Sequence, residues 1–277
     1  MVDDPEPLST EGRALLDAAR PYDAVDILRS GVAAGEPSAP DLLVRAYLDS
    51  GNWQAAAEWL APLVEQGHVR FAGRLGVALA AIGDDERAEE ALRLAIRHGE
   101  VAAANDLAIL LRDGDRFGEA VQVLVRAADD GDQQAASNLV ALHLENGDLP
   151  AAVTAAERYA DASRPDTIVA LADVRSLQGL LDEAEALYRG AGPALRAHTA
   201  YGQFLRDARA DPVAAEREFR EAERHNEPGW AATFGRFLVE EGRPDEARGY
   251  LQTAVGWGDR DAADLLAEID GDNPADD

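Results

Sequence analysis

Apolar and small side chains recur along this chain at the spacing of one face of a helix. In residues 69–100 they fall at steps of three and four, first in one run and then, after a polar turn, in a second run. The two runs consist of Ala72, Leu75, Gly76 and Leu79, followed by Ala88, Leu92, Ala95 and Ile96. Because an i, i+3, i+4, i+7 spacing places side chains on one helical face, the pattern predicts two amphipathic helices joined by a turn.

The same two-helix pattern repeats through most of the chain. Turns of related sequence precede an alanine at intervals of 32 residues, with a single interval of 31, and these alanines are Ala24, Ala56, Ala88, Ala120, Ala152, Ala184, Ala215 and Ala247. The register predicts eight repeats, which begin at residues 5, 37, 69, 101, 133, 165, 196 and 228. We number the positions within each repeat, so that these alanines occupy repeat position 20.

Glycine and alanine have distinct roles in the repeat. At repeat position 15, glycines end the first helix in a left-handed conformation; these are Gly51, Gly83, Gly147, Gly179 and Gly242. The alanine at position 20 allows two helices to approach closely. A larger side chain there would overpack the helix crossing at a cost of ~1–3 kcal/mol.

These residues resemble the tetratricopeptide repeat. That family has a small residue at position 8, glycine at 15, alanine at 20 and a small residue at 27, and the third repeat has Gly76, Gly83, Ala88 and Ala95 there. The resemblance covers residues 5–259. It departs from the family in its period, which is roughly 34 residues in tetratricopeptide proteins, and in having glycine where the family has proline at the turn between repeats.

The resemblance implies an all-α fold, a right-handed α-α superhelical solenoid of eight helix-turn-helix repeats over residues 1–259. Residues 260–277 are expected to add a capping helix at 260–269, with Leu265, Leu266 and Ile269 facing inward, and a disordered acidic tail at 271–277. In the shorter sixth repeat, Gly190, Gly192 and Pro193 predict that a helix ends early. We therefore expect a hinge at 189–194.

The charge of the chain restricts its partners. It has 53 acidic and 26 basic residues, a net charge of −27, and every basic residue is an arginine. Such a chain is expected to bind neither nucleic acid, whose recognition relies on basic residues that displace counterions, nor anionic membranes. The acidic surface favours a basic partner; alternatively, its charge serves solubility alone. We interpret the missing lysine as GC-rich coding, as in actinobacteria.

Residue types and motifs that the sequence lacks exclude further classes of function. The chain has no cysteine, which excludes disulfides, thiolate nucleophiles and cysteine-ligated metals. Its acidic start lacks the pattern of a secretory signal, and no apolar run reaches the ~20 residues of a membrane span, so a cytoplasmic protein is expected. Catalytic and nucleotide-binding motifs are absent as well. We therefore expect no enzyme activity, no cofactor and no metal site.

The family's geometry implies which residues line the concave surface of the solenoid, namely positions 2, 5, 9 and 12 of each first helix. With neighbouring positions, the expected peptide-binding groove consists of Arg45, Arg70, Arg74, Asn105, Ile109, Asn138, Asp173, Tyr201, Phe204 and Arg236. Asparagines would fix the backbone of an extended or helical peptide, and Tyr201 and Phe204 would receive an apolar side chain. The alternative is that these are ordinary solvated or partly packed side chains.

Three further expectations concern polar residues. Arg70 and Arg74 are expected to pair with acids such as Asp41 and Asp106. Repeat position 11 becomes polar at His143, Arg175 and Arg206, and we expect Leu142, Val174 and Leu205, one position earlier, to fill the core there. None of the five histidines has metal-ligand spacing to another histidine or a carboxylate, so surface roles are expected.

Together these features predict a non-catalytic scaffold or adaptor that binds a protein or peptide partner, basic or apolar in character, in the concave groove. The alternative function is structural self-association, with aromatic anchors among Trp53, Trp59, Trp230 and Trp257. The oligomeric state is left open, although the net charge favours a monomer.

Overall fold

A computed structural model describes residues 6–271, and every regular element within that range is a helix. The predicted all-α class is confirmed. Helices α1–α16 form eight consecutive helix-turn-helix pairs, and α17 follows the last pair. The chain divides into two compact units between Ala135 and Ala136, called the N-terminal and C-terminal units here. No described helix combines the length and the apolar character that crossing a membrane requires.

The N-terminal unit contains the first four pairs, and a short 3-10 turn at Val69–Phe71 precedes the fifth helix. Its helices are α1 (Pro7–Asp17), α2 (Pro21–Ala34), α3 (Ala39–Asp49), α4 (Trp53–Glu65), α5 (Ala72–Ala81), α6 (Asp85–Arg97), α7 (Ala103–Asp113) and α8 (Phe117–Asp129). Within each of the pairs α1–α2, α5–α6 and α7–α8, the two helices pack against each other.

The C-terminal unit contains the remaining helices, the first of which begins just before the division between the units. They are α9 (Gln133–Glu145), α10 (Leu149–Tyr159), α11 (Pro165–Leu177), α12 (Leu181–Gly190), α13 (Ala197–Asp207), α14 (Pro212–Arg224), α15 (Trp230–Glu240), α16 (Pro244–Gly256) and α17 (Arg260–Gly271). Leu265, Leu266 and Ile269 of α17 are half-buried against the apolar core of this unit. The acidic tail predicted at 271–277 lies outside the described residues, apart from Gly271.

The small residues of the repeat lie where helices approach most closely. All eight alanines at repeat position 20 are fully buried. Glycine at position 8 lies beneath a large side chain of the partner helix: a Cβ added to Gly76 would lie 2.5 Å from Cγ of Leu92, and one added to Gly235 would lie 2.7 Å from Cδ2 of Leu251. These contacts are too short for any larger residue, so glycine sets the spacing of the pair.

Position 15 adopts the left-handed conformation whether or not glycine occupies it. Gly83 has a φ of 79°, and the alanine that takes this place in the seventh repeat, Ala210, has a φ of 53°. The left-handed conformation is costly for a residue with a Cβ. Ala210 therefore shows that the turn geometry, imposed by the packed helices on either side, outweighs the local preference of the residue.

The core adapts where position 11 turns polar. Leu142, Val174 and Leu205, at position 10, are buried as predicted. The neighbouring Arg175 and Arg206 extend to the surface and form ion pairs, Arg175 with Glu157 at 2.8 Å and Arg206 with Glu240 at 2.9 Å. The charged groups thus remain solvated while the core stays apolar.

Candidate functional site

In the N-terminal unit, three of the arginines expected in the groove lie on the surface and pair with acids. Arg45 lies 3.2 Å from Asp17 and also 3.2 Å from Asp49. Arg70 and Arg74 share the carboxylate of Asp41, at 3.2 and 3.4 Å. The expected pairing with Asp41 is confirmed, but among residues 6–271 Asp106 forms no ion pair with either arginine. Exposed pairs of this kind orient side chains and add little stability.

The two groove residues of α7 have opposite environments. Asn105 is 6% exposed and its amide nitrogen lies 3.2 Å from Oδ2 of Asp132, so it is part of the packed structure. Ile109, one turn further along the helix, is 47% exposed and offers an apolar surface.

The groove residues of the C-terminal unit are dispersed between surface and core. Asn138 is half-buried in α9, while Arg236 is exposed and lies 3.6 Å from Asp261. Tyr201 and Phe204 are both buried. Asp173 is half-buried on α11 and accepts a hydrogen bond from the hydroxyl group of Tyr188.

Tyr188 is the residue that joins three of these groups. Its ring stacks on that of Tyr201, with 5.6 Å between the ring centroids, and packs against Phe204 at 5.1 Å. Sequence reasoning did not select Tyr188, which lies near the end of the second helix of its repeat. The structure thus brings Asp173, Tyr201 and Phe204 together around one tyrosine.

A cavity of about 670 Å³ opens beside this aromatic cluster. The rings of Tyr188 and Tyr201 form one wall, and Pro193, Leu195 and Pro228 lie along its edges. Leu195 is 51% exposed. The cavity exists because α12 ends early at Gly190, so that the 191–196 turn leaves open the space that a longer helix would fill. The hinge expected at 189–194 therefore borders the cavity; its mobility remains a prediction.

Two of the five histidines line the same cavity: His225 is exposed, in line with the expected surface role, whereas His198 is half-buried. Nδ1 of His198 lies 2.8 Å from Oε2 of Glu218, and the His198 and His225 rings stack with centroids 5.1 Å apart. The partners are separated from His198 by 20 residues or more along the chain, because His198 belongs to α13, Glu218 lies within α14 and His225 directly follows α14. These contacts are not visible as closely spaced residues in the sequence. A comparison of repeat positions 3 and 30, which His198 and His225 occupy in the seventh repeat, would have indicated them.

The floor of the cavity is held by a buried acid. Glu227 is buried and accepts hydrogen bonds from the backbone N–H groups of His198 and Thr199, at 2.9 and 2.8 Å. These N–H groups have no partner inside α13, because the first turn of a helix leaves its donors free. Glu227 therefore fixes the orientation of the helix that carries His198 and Tyr201.

Burial changes the ionisation of the aromatic cluster. Burial raises the pKa of the Asp173 carboxyl above its usual value, and the hydrogen bond from Tyr188 only partly offsets this effect. Burial also raises the pKa of the Tyr188 hydroxyl, and the neighbouring Asp173 carboxylate raises it further. The Tyr188 hydroxyl consequently stays protonated and donates its hydrogen bond to Asp173.

The repeat has counterparts in known proteins. The family model of the tetratricopeptide repeat matches residues 42–104 and 105–167. A search of curated protein sequences finds no match.

Several solved structures align with this chain at low sequence identity. A tetratricopeptide repeat protein from Parabacteroides merdae aligns over 95% of this chain and 97% of its own, with 12% identity and a TM-score of 0.50. A chain of the APC/C hetero-tetramer Cut9-Hcn1 aligns over 94% of this chain and 55% of its own, with 14% identity and a TM-score of 0.49. Pseudomonas aeruginosa pilF aligns over 73% of this chain and 96% of its own, with 19% identity and a TM-score of 0.48. At such identities the similarity concerns the fold alone.

Proposed function

We propose that the chain is a non-catalytic scaffold that binds a segment of a partner protein, because it matches the tetratricopeptide repeat model over residues 42–167 and such repeats generally serve as protein-interaction scaffolds. The observation that carries the proposal is the 670 Å³ cavity of the C-terminal unit, which places two tyrosine rings beside the exposed Leu195. Buried aromatic rings next to exposed apolar groups are typical of sites that receive an anchoring side chain.

The chemistry of the cavity defines the occupant. An apolar side chain of the partner enters beside Tyr201 and Leu195, and displaces water from surfaces that are already apolar. Basic residues that flank it are attracted by a chain of net charge −27. In the N-terminal unit, the exposed Ile109 with Arg45, Arg70 and Arg74 is proposed as a separate contact surface.

Photo-crosslinking tests this assignment directly. A photoreactive benzoylphenylalanine replaces Leu195 in one variant and Val213 in another, because Val213 is also exposed, at 63%, but does not line the cavity. In extract of the native cell, crosslinks at residue 195 should join a partner segment with an apolar residue flanked by arginine or lysine. Equal crosslinking from both positions, or an acidic segment at residue 195, would contradict the proposal.

Self-association is the second candidate function, and one exposed aromatic residue favours it. Trp257 is 59% exposed and packs edge-on against Trp230, with 6.0 Å between the ring centroids, whereas Trp53 and Trp59 are half-buried. Such a tryptophan is a typical anchor of protein interfaces. Sedimentation equilibrium distinguishes the two functions: a mass well above 29.5 kDa that returns to this value in Trp257→Ser supports self-association, and a monomer at all concentrations excludes it.

A further inference from the structure

A second surface lies in the N-terminal unit, far along the chain from the cavity described above. Between α6 and α8 a groove of about 340 Å³ has an apolar floor that includes Leu107, Val123 and Val101. Val101 is 40% exposed, whereas Leu107 is buried. We name this surface the arginine-rimmed groove, because Arg97 of α6 and Arg126 of α8 lie along its edges.

The two arginines at the rim differ from most others in the protein. On the same helix as Arg97, Arg93 lies 2.8 Å from Glu89, and Arg116 binds both Glu89 and Glu119. By contrast, no carboxylate of residues 6–271 forms an ion pair with Arg97 or Arg126, although Asp130 also lines the groove. Two guanidinium groups in a chain with twice as many acids as bases thus keep their charges available for a partner.

The packing of the repeat does not explain why two arginines without ion pairs lie beside an apolar floor. Arg97 and Arg126 are both exposed, so neither is needed to neutralise a buried acid. The apolar floor beside them remains partly open to water, which costs free energy unless something covers it. An occupant that satisfies both features must combine an apolar side chain with negative charge.

We propose that the arginine-rimmed groove docks an acidic amphipathic segment of a partner protein. An apolar side chain of that segment packs on Val101, Leu107 and Val123, and carboxylates on either side of it bind Arg97 and Arg126. Guanidinium groups suit this role because they bind carboxylates through two parallel hydrogen bonds. The surface and the charge of the ligand both differ from those of the cavity in the C-terminal unit, so the two sites would serve different partners or different segments.

The test uses the full chain and a designed probe. The probe is a fluorescein-labelled helical peptide of about 14 residues, with leucines at i, i+3, i+4 and i+7 and glutamates beside them. A matched peptide has glutamine in place of every glutamate. Fluorescence anisotropy should show that the glutamate peptide binds at least about tenfold more tightly than the glutamine peptide. Equal affinities of the two peptides, or no binding of the glutamate peptide up to about 1 mM, would overturn the proposal.

Variants locate the binding on the protein. The double substitution Arg97→Gln with Arg126→Gln should weaken the glutamate peptide by at least about tenfold, and Val101→Ser should weaken both peptides. Arg217→Gln is the matched control, because Arg217 is another exposed arginine without an ion pair among residues 6–271. The proposal fails if the double variant binds as the native chain does, or if Arg217→Gln loses as much affinity. Circular dichroism checks that each variant is folded.

Two further readouts define the occupant. Methyl NMR spectra should show peptide-induced shifts at Ile96, Val101 and Val123, and shifts confined to other methyl groups would contradict the assignment. Sedimentation velocity of the native chain and of the double variant tests for a second copy in the groove. If the native chain is a dimer and the double variant a monomer, the occupant is another copy of this chain and the proposal of an acidic partner segment is wrong.

Discussion

The carboxylate of Glu227 holds Thr199 at the start of α13: Oε2 of Glu227 lies 2.8 Å from the backbone nitrogen and 2.7 Å from the hydroxyl oxygen of Thr199. The two residues are 28 positions apart and belong to opposite ends of one repeat. Glu36 has the same place in the first repeat and accepts hydrogen bonds from the backbone of Leu8 and Ser9, at 3.1 and 2.6 Å. An acid at the last position of a repeat thus closes that repeat onto its own first helix.

Replacing this acid should destabilise the C-terminal unit. Glu227→Ala leaves two backbone N–H groups and the Thr199 hydroxyl without their acceptor, and buried donors without a partner cost about 1–3 kcal/mol. We expect the melting temperature to fall by several degrees, whereas Glu268→Ala, at an exposed site on α17, should change it little. Differential scanning calorimetry measures both. Equal melting temperatures for the two variants would show that Glu227 does not hold the helix.

Two glycines of neighbouring helices should respond oppositely to the same substitution. A Cβ at Gly235 would lie 2.7 Å from Cδ2 and 3.4 Å from the backbone nitrogen of Leu251, so Gly235→Ala should cost ~1–3 kcal/mol. No atom lies within 4 Å of a Cβ built at Gly249, in the interior of α16, and Gly249→Ala should stabilise the helix by up to ~1 kcal/mol. Urea unfolding followed by circular dichroism compares them. The packing account fails if Gly235→Ala is as stable as the native chain.

The left-handed alanine of the seventh repeat offers a stabilising substitution. Ala210 has a φ of 53°, which a glycine adopts without steric cost. Ala210→Gly should therefore raise the free energy of unfolding by about 0.5–1 kcal/mol, the left-handed penalty less the added chain entropy. Ala186→Gly, at an exposed position inside α12, is the control and should lower it by about 1 kcal/mol. The interpretation is wrong if both changes destabilise the protein equally.

Two acids of the C-terminal unit should show opposite pH dependence. Burial raises the pKa of Asp173 in the folded state above its usual value of 3.8. The free energy of unfolding therefore decreases as the pH rises from 3.8 to the raised folded-state pKa. Asp173→Asn should therefore be more stable than the native chain at pH 7, and the difference should vanish below the usual pKa of 3.8, where both states are protonated. Melting temperatures from pH 3 to pH 8 measure the effect.

Glu216 is the counterpart with the reverse sign. Hydrogen bonds from Arg243, and then from Arg220, lower its pKa below 4.5 although burial opposes them. Its stabilising contribution is present above pH 4.5 and is lost as the pH falls through the lowered folded-state pKa. Glu216→Gln should accordingly destabilise the protein at pH 7 and converge with the native chain in acid. Curves for Asp173→Asn and Glu216→Gln that deviate in the same direction at pH 7 would contradict these assignments.

The sequence predicts the helices and their close contacts because short-range rules govern them. The buried Ala88, the turn at Gly83 and the shift from position 11 to Val174 all follow from spacing within a single repeat. The repeat register therefore predicts the helix pairs throughout the described residues.

The candidate site was harder to predict because it depends on contacts across a repeat. Asn105 was expected at the surface, yet Asp132 from the end of the same repeat covers it. Tyr201 was expected to face a groove, and it does line a cavity, but only because α12 ends early and Tyr188 lies beside it. Neither the length of a helix to within one turn nor the direction of a long side chain is set by the repeat pattern.

The measurement that tests the central claim most directly is a calorimetric titration with the partner segment that crosslinks to residue 195, made as a synthetic peptide. If that segment anchors in the cavity between Tyr201 and Leu195, the native chain should bind the peptide and Leu195→Asp should weaken it by at least about tenfold. Val213→Asp, at another exposed position that does not line the cavity, should leave the affinity unchanged. An affinity of Leu195→Asp equal to that of the native chain would contradict the assignment of this cavity as the binding site.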